Sequence, residues 1–116
     1  EQAQDLTSRV EAIRTGEITA EASLDATLER IDARNGELNA FHETLAPRAR
    51  TRAALIDEKI KNGSDPGPLA GATIALKDNI CTRDGRTTCS SRMLEEYVSG
   101  SKPNIWKPIV SLVDNR

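Results

Sequence analysis

The residues with the clearest potential for chemistry surround a lysine at position 77. Lys77 follows a short apolar run, residues 72–76, and precedes Asp78 and Asn79. Burial of an ammonium group is costly unless the group is paired or neutralised, so a lysine at the end of a buried strand is a candidate catalytic base. A neutral lysine can take the proton of a serine hydroxyl and activate it as a nucleophile. On composition alone, a lysine that reaches solvent and pairs with Asp78 is the more ordinary interpretation.

Other reactive side chains are weaker candidates. Cys81 and Cys89 form no CxxC pair, and no histidine stands in either motif to activate a thiolate, so we expect both to be small core residues. Two cysteines do not make a disulfide framework, which favours a reducing, cytoplasmic setting. His42 is the only histidine and has no partners at metal-ligand spacing, so we expect it to be half-exposed and expect no metal site.

A basic cluster consists of Arg48, Arg50 and Arg52. These side chains could touch the phosphates of a nucleic acid, but they lie near a helix start beside Glu43 and Asp57. A solvated helix face is the better interpretation. The whole chain has 16 lysines and arginines against 18 aspartates and glutamates, a formal charge of −2, so no direct binding of nucleic acid is expected.

Length and composition limit the possible architectures. The chain has 116 residues, of which 37% are hydrophobic and 3% aromatic, so one small core of Leu, Ile, Val and Ala is expected and a second domain is not. No apolar run approaches the ~20 residues of a membrane span, and the first ten residues lack the pattern of a secretory signal. The sequence therefore predicts a soluble, cytoplasmic protein.

Apolar residues at helical spacing predict three helices in the first half of the chain. Thr19 is a candidate N-cap for the second helix, and Pro47 suits the first turn of the third. Three turn signals are expected to end the helices: Gly16, Asn35-Gly36 and Asn62-Gly63. Residues 38–44, between the second and third helices, alternate weakly and predict a short extended segment.

The second half begins with a loop rich in glycine and proline, residues 63–71. Residues 72–76 then predict a strand buried on both faces. A loop and a short helix from Ser91 to Tyr97 follow, and residues 109–113 are a further strand candidate. The predicted fold class is mostly α with a short β element.

Three segments of the sequence resemble the amidase-signature family, and within it the A subunits of glutamyl-tRNA(Gln) amidotransferases. They are the helical region from residue 6 to Phe41, the GPLAG and IALKDNICT motifs, and RTTCSSRMLEEYV. The resemblance covers residues 6–98, and KDNICT and TTCSS are its most specific parts. It implies the N-terminal helical part and first strand of an α/β amidase, truncated, with residues 1–98 as the family segment and residues 99–116 as a divergent tail.

The resemblance also implies a role for Lys77, as the base of a Ser-cisSer-Lys triad. The glycine-serine-rich signature that supplies both serines and the oxyanion hole in the family does not occur in this sequence, so Lys77 is expected to be a vestigial base. Ser90 and Ser91 match the loop serines of TTCSS instead of the nucleophile. Without the serines and the oxyanion donors, the isolated chain is expected to be inactive.

Partners are implied in the same way. The family protein hydrolyses glutamine to ammonia for transamidation of Glu-tRNA(Gln), without a cofactor of its own, together with a small third subunit and a tRNA-binding, ATP-using subunit. An isolated first strand leaves backbone groups unpaired, so we expect a homo-oligomer. Two alternatives remain open: a non-catalytic oligomeric module, and an amidase acting on small amides.

Overall fold

The computed structural model describes residues 5–81, 86–98 and 110–115, and it is mostly helical with a small sheet. In chain order the elements are α1 (Leu6–Arg14), α2 (Ala20–Leu38), β1 (Phe41–Thr44), α3 (Ala46–Lys61), β2 (Thr73–Lys77), a 3₁₀ turn (Arg92–Leu94) and β3 (Val110–Asn115). The three predicted helices and the fold class are confirmed. None of the helices in the described ranges is long and apolar enough to cross a bilayer.

Short polar side chains cap the starts of α1 and α2. Thr19 accepts a hydrogen bond from the Ala22 N–H at 3.1 Å, as its sequence position predicts. Asp5 caps α1 by accepting a bond from the Ser8 N–H at 2.8 Å. This bond favours the charged carboxylate and lowers the pKa of Asp5 below its usual value.

The end of α2 differs from the prediction, because the helix continues through Gly36 to Leu38. The Asn35 side chain binds the chain that follows: its Oδ1 accepts from the Phe41 N–H at 2.8 Å, and its Nδ2 donates to the Phe41 carbonyl at 3.0 Å. The helix ends at Asn39, whose φ of 48° is left-handed. Asn35 and Gly36 therefore lie in the last turn of α2, and the helix ends after them.

The core lies between α2, α3 and the ends of the neighbouring segments. Its buried members are small or aliphatic: Ile13, Ala20, Leu24, Leu28, Ala49, Ala53, Ile56 and Ala70. Asp57 of α3 is only 8% exposed. Its carboxylate accepts from the N–H groups of Ala20 at 2.7 Å and Glu21 at 3.1 Å. Asp57 thus satisfies the free donors at the start of α2 from a neighbouring helix.

The sheet has the order β1-β3-β2, with β3 antiparallel to β1 and parallel to β2. One edge of β2 is therefore paired with the C-terminal strand, whereas the sequence predicted an uncovered strand. The prediction that β2 is buried on both faces is also wrong. Leu76 is buried, but Ala75 and Lys77 are exposed. Alternation along the strand separates its two faces, and only one of them meets the protein interior.

The short helix expected from Ser91 to Tyr97 is reduced to the 3₁₀ turn Arg92–Leu94. Met93, in this turn, is 95% exposed. The reason is a competing backbone contact: the Thr87 N–H donates to the Tyr97 carbonyl at 3.0 Å, within a region where Arg86 and Val98 form an antiparallel bridge. An extended chain at Tyr97 cannot continue a helix.

Gly71 tests the packing between α1 and the glycine- and proline-rich loop, residues 63–71. Its φ is 72°, and a Cβ there would lie 2.5 Å from Ile13 Cδ1. Ile13 is completely buried, so it has little room to move. We expect Gly71→Ala to lower the free energy of unfolding by about 2–5 kcal/mol, from the left-handed backbone and the clash together.

Gly63→Ala is the matched control, because Gly63 has a φ of 69° and no atom lies within 4 Å of the place where its Cβ would be. Only the backbone cost remains there, about 1 kcal/mol. Denaturant unfolding of both variants followed by circular dichroism measures the difference. Equal losses for the two variants would contradict the packing described for Gly71.

Asp57→Ala tests the carboxylate that caps α2. The substitution leaves the buried N–H of Ala20 without a partner, so we expect a loss of about 2–4 kcal/mol in the free energy of unfolding. Asp57→Asn keeps one acceptor oxygen and should lose about 1–2 kcal/mol. Asp32→Asn, at an exposed position of α2, is the control in the same unfolding experiment. A loss for Asp57→Ala no larger than for the control would contradict this role.

Candidate functional site

The candidate site begins where β2 ends. Lys77 is the last residue of the strand and is exposed, whereas Asp78, the next residue, is 2% exposed. Among the described residues the Lys77 ammonium makes no hydrogen bond or ion pair. The described residues therefore do not bury Lys77, as a neutral catalytic base would require. The alternative prediction, an ion pair between Lys77 and Asp78, is not observed among them either.

Asp78 is instead the acceptor for the loop that carries the TTCSS motif. Its Oδ1 accepts from the Thr88 N–H at 2.7 Å, and its Oδ2 accepts from the Thr88 hydroxyl and from the Ser90 N–H at 3.3 Å. Its backbone carbonyl accepts from the Cys89 N–H at 3.2 Å. The KDNICT and TTCSS motifs are thus joined through the buried carboxylate of Asp78.

The loop around Asp78 has an unusual backbone. Cys89 and Ser90 have φ angles of 50° and 55°, in the left-handed region that costs roughly 1–2 kcal/mol for a residue with a side chain. Cys89 and Cys81 are both exposed, so the prediction that they are core residues is wrong. The physical reason at Cys89 is that the tight turn directs the N–H groups inward to Asp78 and leaves the thiol outside.

His42 joins the same group from β1. Its Nε2 lies 3.6 Å from Asp78 Oδ2, and its side chain is 23% exposed. The sequence predicts a half-exposed histidine but does not connect it with Asp78. The two residues are distant in the chain, and the only local signal is the position of Asp78 directly after a strand.

A polar cleft of about 330 Å³ opens beside this group. Its lining consists of hydroxyl, imidazole, guanidinium and carboxylate groups, from His42, Arg86, Thr88, Ser90, Ser91, Arg92 and Glu95. Arg86 is already engaged by Glu43, with Nε 3.9 Å from the Glu43 carboxylate. Within the described ranges Lys77 does not line this cleft, so the structure does not bring Lys77 and the Ser90-Ser91 pair into one cavity.

The remaining candidates have structural contacts. Arg50 of the basic cluster forms an ion pair with Asp25, which links α3 to α2 on an exposed face, as a solvated helix would. In residues 5–81 and 86–98, no group of three or more His, Cys, Asp or Glu side chains is placed to hold a metal ion.

Comparison with known proteins assigns the family. Residues 22–103, more than half of the chain, match the family model described as Amidase. The chain belongs to the amidase family. It is 46% identical over 101 residues to the glutamyl-tRNA(Gln) amidotransferase A subunit of Synechococcus sp. (strain RCC307), an alignment that covers 84% of this chain and 21% of that protein. The corresponding protein of Carboxydothermus hydrogenoformans is 43% identical over 88 residues, with 76% and 18% covered.

Solved structures of the family have the same fold over this segment. The peptide amidase of Stenotrophomonas maltophilia superposes with a TM-score of 0.75 at 30% identity and covers 82% of this chain and 20% of that one. A bacterial aryl acylamidase of the amidase-signature family gives a TM-score of 0.82 at 22% identity, with 91% and 24% covered. The chain spans about a fifth of the length of the amidotransferase relatives it matches.

Proposed function

We propose that this amidase-family chain corresponds to the N-terminal part of the A subunit of a glutamyl-tRNA(Gln) amidotransferase, in which Lys77 is the general base for glutamine hydrolysis. The observation that carries the proposal is the position of Lys77: it lies within the matched region, at the end of β2, directly before the carboxylate that holds the TTCSS loop. The names and identities of the relatives support the choice of a tRNA-linked enzyme over a small-amide amidase.

In the proposed reaction, Lys77 accepts the proton of a serine hydroxyl as the serine attacks the carboxamide carbon of glutamine. The C–N bond breaks, ammonia leaves with a proton, and water then hydrolyses the acyl-serine to glutamate. The resemblance assigns both serines and the oxyanion donors to a glycine-serine-rich signature that is not in this sequence. The 116-residue chain alone is therefore inactive under this proposal, since its base has no nucleophile to deprotonate.

The complete protein would work with the partners implied by the family. These are a small third subunit and a tRNA-binding, ATP-using subunit, with the cytoplasm as the compartment. Two free cysteines in the described part of the chain agree with a reducing environment. The ion pair of Arg50 with Asp25 and the overall charge of −2 give this segment no evident tRNA-binding surface.

A chimera tests the role of Lys77. Residues 6–98 replace the matching segment of the Synechococcus sp. (strain RCC307) protein, and ammonia release from glutamine is measured in the assembled enzyme. We expect Lys77→Ala to reduce kcat by about 10³-fold or more, as removal of a triad member does. Lys77→Arg should be equally inactive, because a guanidinium does not lose its proton.

Lys59→Ala is the control for the chimera, since Lys59 is an exposed lysine of α3. Its activity should equal that of the unmodified chimera. An active chimera that tolerates Lys77→Ala would rule out Lys77 as the base. Ammonia release by the 116-residue chain alone, abolished by Lys77→Ala, would contradict the proposed inactivity of the isolated chain.

A second candidate function is a non-catalytic, self-associating module. The observation that favours it is the edge of β2: within the described residues, the strand pairs only with β3. An apolar groove of about 370 Å³ is lined by β2, α2 and Phe41 of β1. Ile31 and Leu38 of α2 and Ile74 of β2 contribute to its lining. A strand edge that no described residue occupies is suited to pairing with another copy, and the groove offers that copy an apolar surface to cover.

Self-association is measured by sedimentation velocity at micromolar concentration. We expect a dimer or larger species, and expect Ala75→Lys to shift the chain to monomer, because a lysine on an exposed edge opposes strand pairing. Ala54→Lys, on the exposed face of α3, should leave the assembly unchanged. A monomeric wild-type chain that unfolds cooperatively would eliminate this candidate.

A further inference from the structure

Asp78 makes contacts that go beyond what a strand end requires. Its carboxylate and its carbonyl receive four hydrogen bonds from three consecutive residues, Thr88, Cys89 and Ser90. The side chain is almost completely buried, so these donors replace its hydration. The loop of residues 88–90 is thus fixed to the residue that directly follows Lys77.

These contacts restrict the backbone on the C-terminal side of Lys77. On its N-terminal side, the ladder between β2 and β3 holds the strand, with Lys77 in register with Asn115. On its C-terminal side, the Lys77 carbonyl accepts from the Ile80 N–H at 2.9 Å, and Asp78 is held by the loop. Because the peptide unit is planar, fixing Asp78 also fixes the plane through which the Lys77 backbone leaves the strand. The direction of the Lys77 Cα–Cβ bond follows from that backbone.

We propose that Asp78 is the positioning residue for Lys77: it aligns the base by tying the strand end to the TTCSS loop and takes no part in proton transfer itself. The inference rests on the proposed role of Lys77. It assigns the TTCSS loop a function in the site, through Thr88 and Ser90 as donors, although its serines are not the nucleophile. His42, 3.6 Å from Asp78 Oδ2, places β1 against the same carboxylate.

A purely structural carboxylate would behave differently. If Asp78 only stabilised the fold, Asp78→Asn would reduce the amount of folded enzyme, and would do so whether or not Lys77 is present. A positioning residue acts through Lys77, so its substitution should change kcat and leave KM nearly constant. Its effect should also vanish when the lysine is already absent.

The chimera described above provides the test. Asp78→Asn keeps the shape of the side chain but replaces one acceptor oxygen with a donor group. We expect kcat to fall about 10–100-fold, as small misplacements of a catalytic group do, with KM within about twofold. Thr88→Val should give a smaller loss of kcat than Asp78→Asn. Thr88→Ser keeps the hydroxyl, so its kcat should equal that of the unmodified chimera. Asp32→Asn is the control.

The double variant separates the outcomes. In the Lys77→Ala background, Asp78→Asn should cause no further loss of the residual activity. A further loss of the same size would overturn the inference, as would an unchanged kcat for Asp78→Asn and Thr88→Val in a chimera that depends on Lys77. Activity that does not depend on Lys77 would contradict the proposed function itself.

Amide hydrogen exchange in the 116-residue chain tests the hydrogen bonds between Asp78 and residues 88–90 without an activity assay. We expect the Thr88 and Ser90 amides to exchange at least about 10-fold faster in Asp78→Asn, because they lose a charged acceptor, with the Leu24 amide of α2 unchanged. Slow exchange that persists at Thr88 and Ser90 in the variant would overturn the inference. Faster exchange at Leu24 as well would identify a general loss of structure and likewise count against it.

Discussion

The helical part of this chain depends on the carboxylate of Asp57. The core that α2 and α3 share is rich in alanine, so each residue buries little apolar surface and the hydrophobic contribution per helix turn is small. At the start of α2, Ala20 is completely buried and its N–H cannot reach water. Asp57 supplies the acceptor from α3, and its negative charge meets the positive end of the α2 dipole. One polar contact therefore sets where the two helices meet, and Pro47 and Thr19 only set where each begins.

Asp78 uses the same chemistry directly after β2. Each buried aspartate collects N–H groups from a segment that is remote in sequence, and each is satisfied by backbone donors that cannot rotate away. The difference lies in what is held. Asp57 holds two regular helices, whereas Asp78 holds a turn with two left-handed residues, which would relax without the carboxylate. Strain of this kind persists only where the surroundings fix it.

The sequence predicted the elements that depend on local signals. Apolar spacing located the three helices, and the N-cap Thr19 and the first-turn Pro47 followed from residue type. The errors arose where a contact outside the helical pattern overrides a local preference. Asn35 binds Phe41 and lets α2 pass Gly36. No local pattern reveals that the start of α2 packs against Asp57. The strand-end position of Lys77 made it a candidate base, which remains a prediction. The hydrogen bonds of Asp78 could not be predicted, since they depend on how the loop folds back.

The free edge of β2 connects the two proposed functions. Among the described residues only β3 pairs with the strand, so a further segment can pair along its other edge. A paired strand lies ~4.8 Å away, which would place its backbone beside the end of β2 and hence beside Lys77. The Lys77 side chain is exposed and its ammonium has no partner among the described residues, so whatever pairs with this edge contributes to its surroundings. A second copy would cover the lysine with a surface that has no serine signature, and the remainder of a longer chain would bring it to the groups it needs. The N–H and C=O groups on this edge of β2 can thus pair in either function. The segment that binds to them determines which function the chain has.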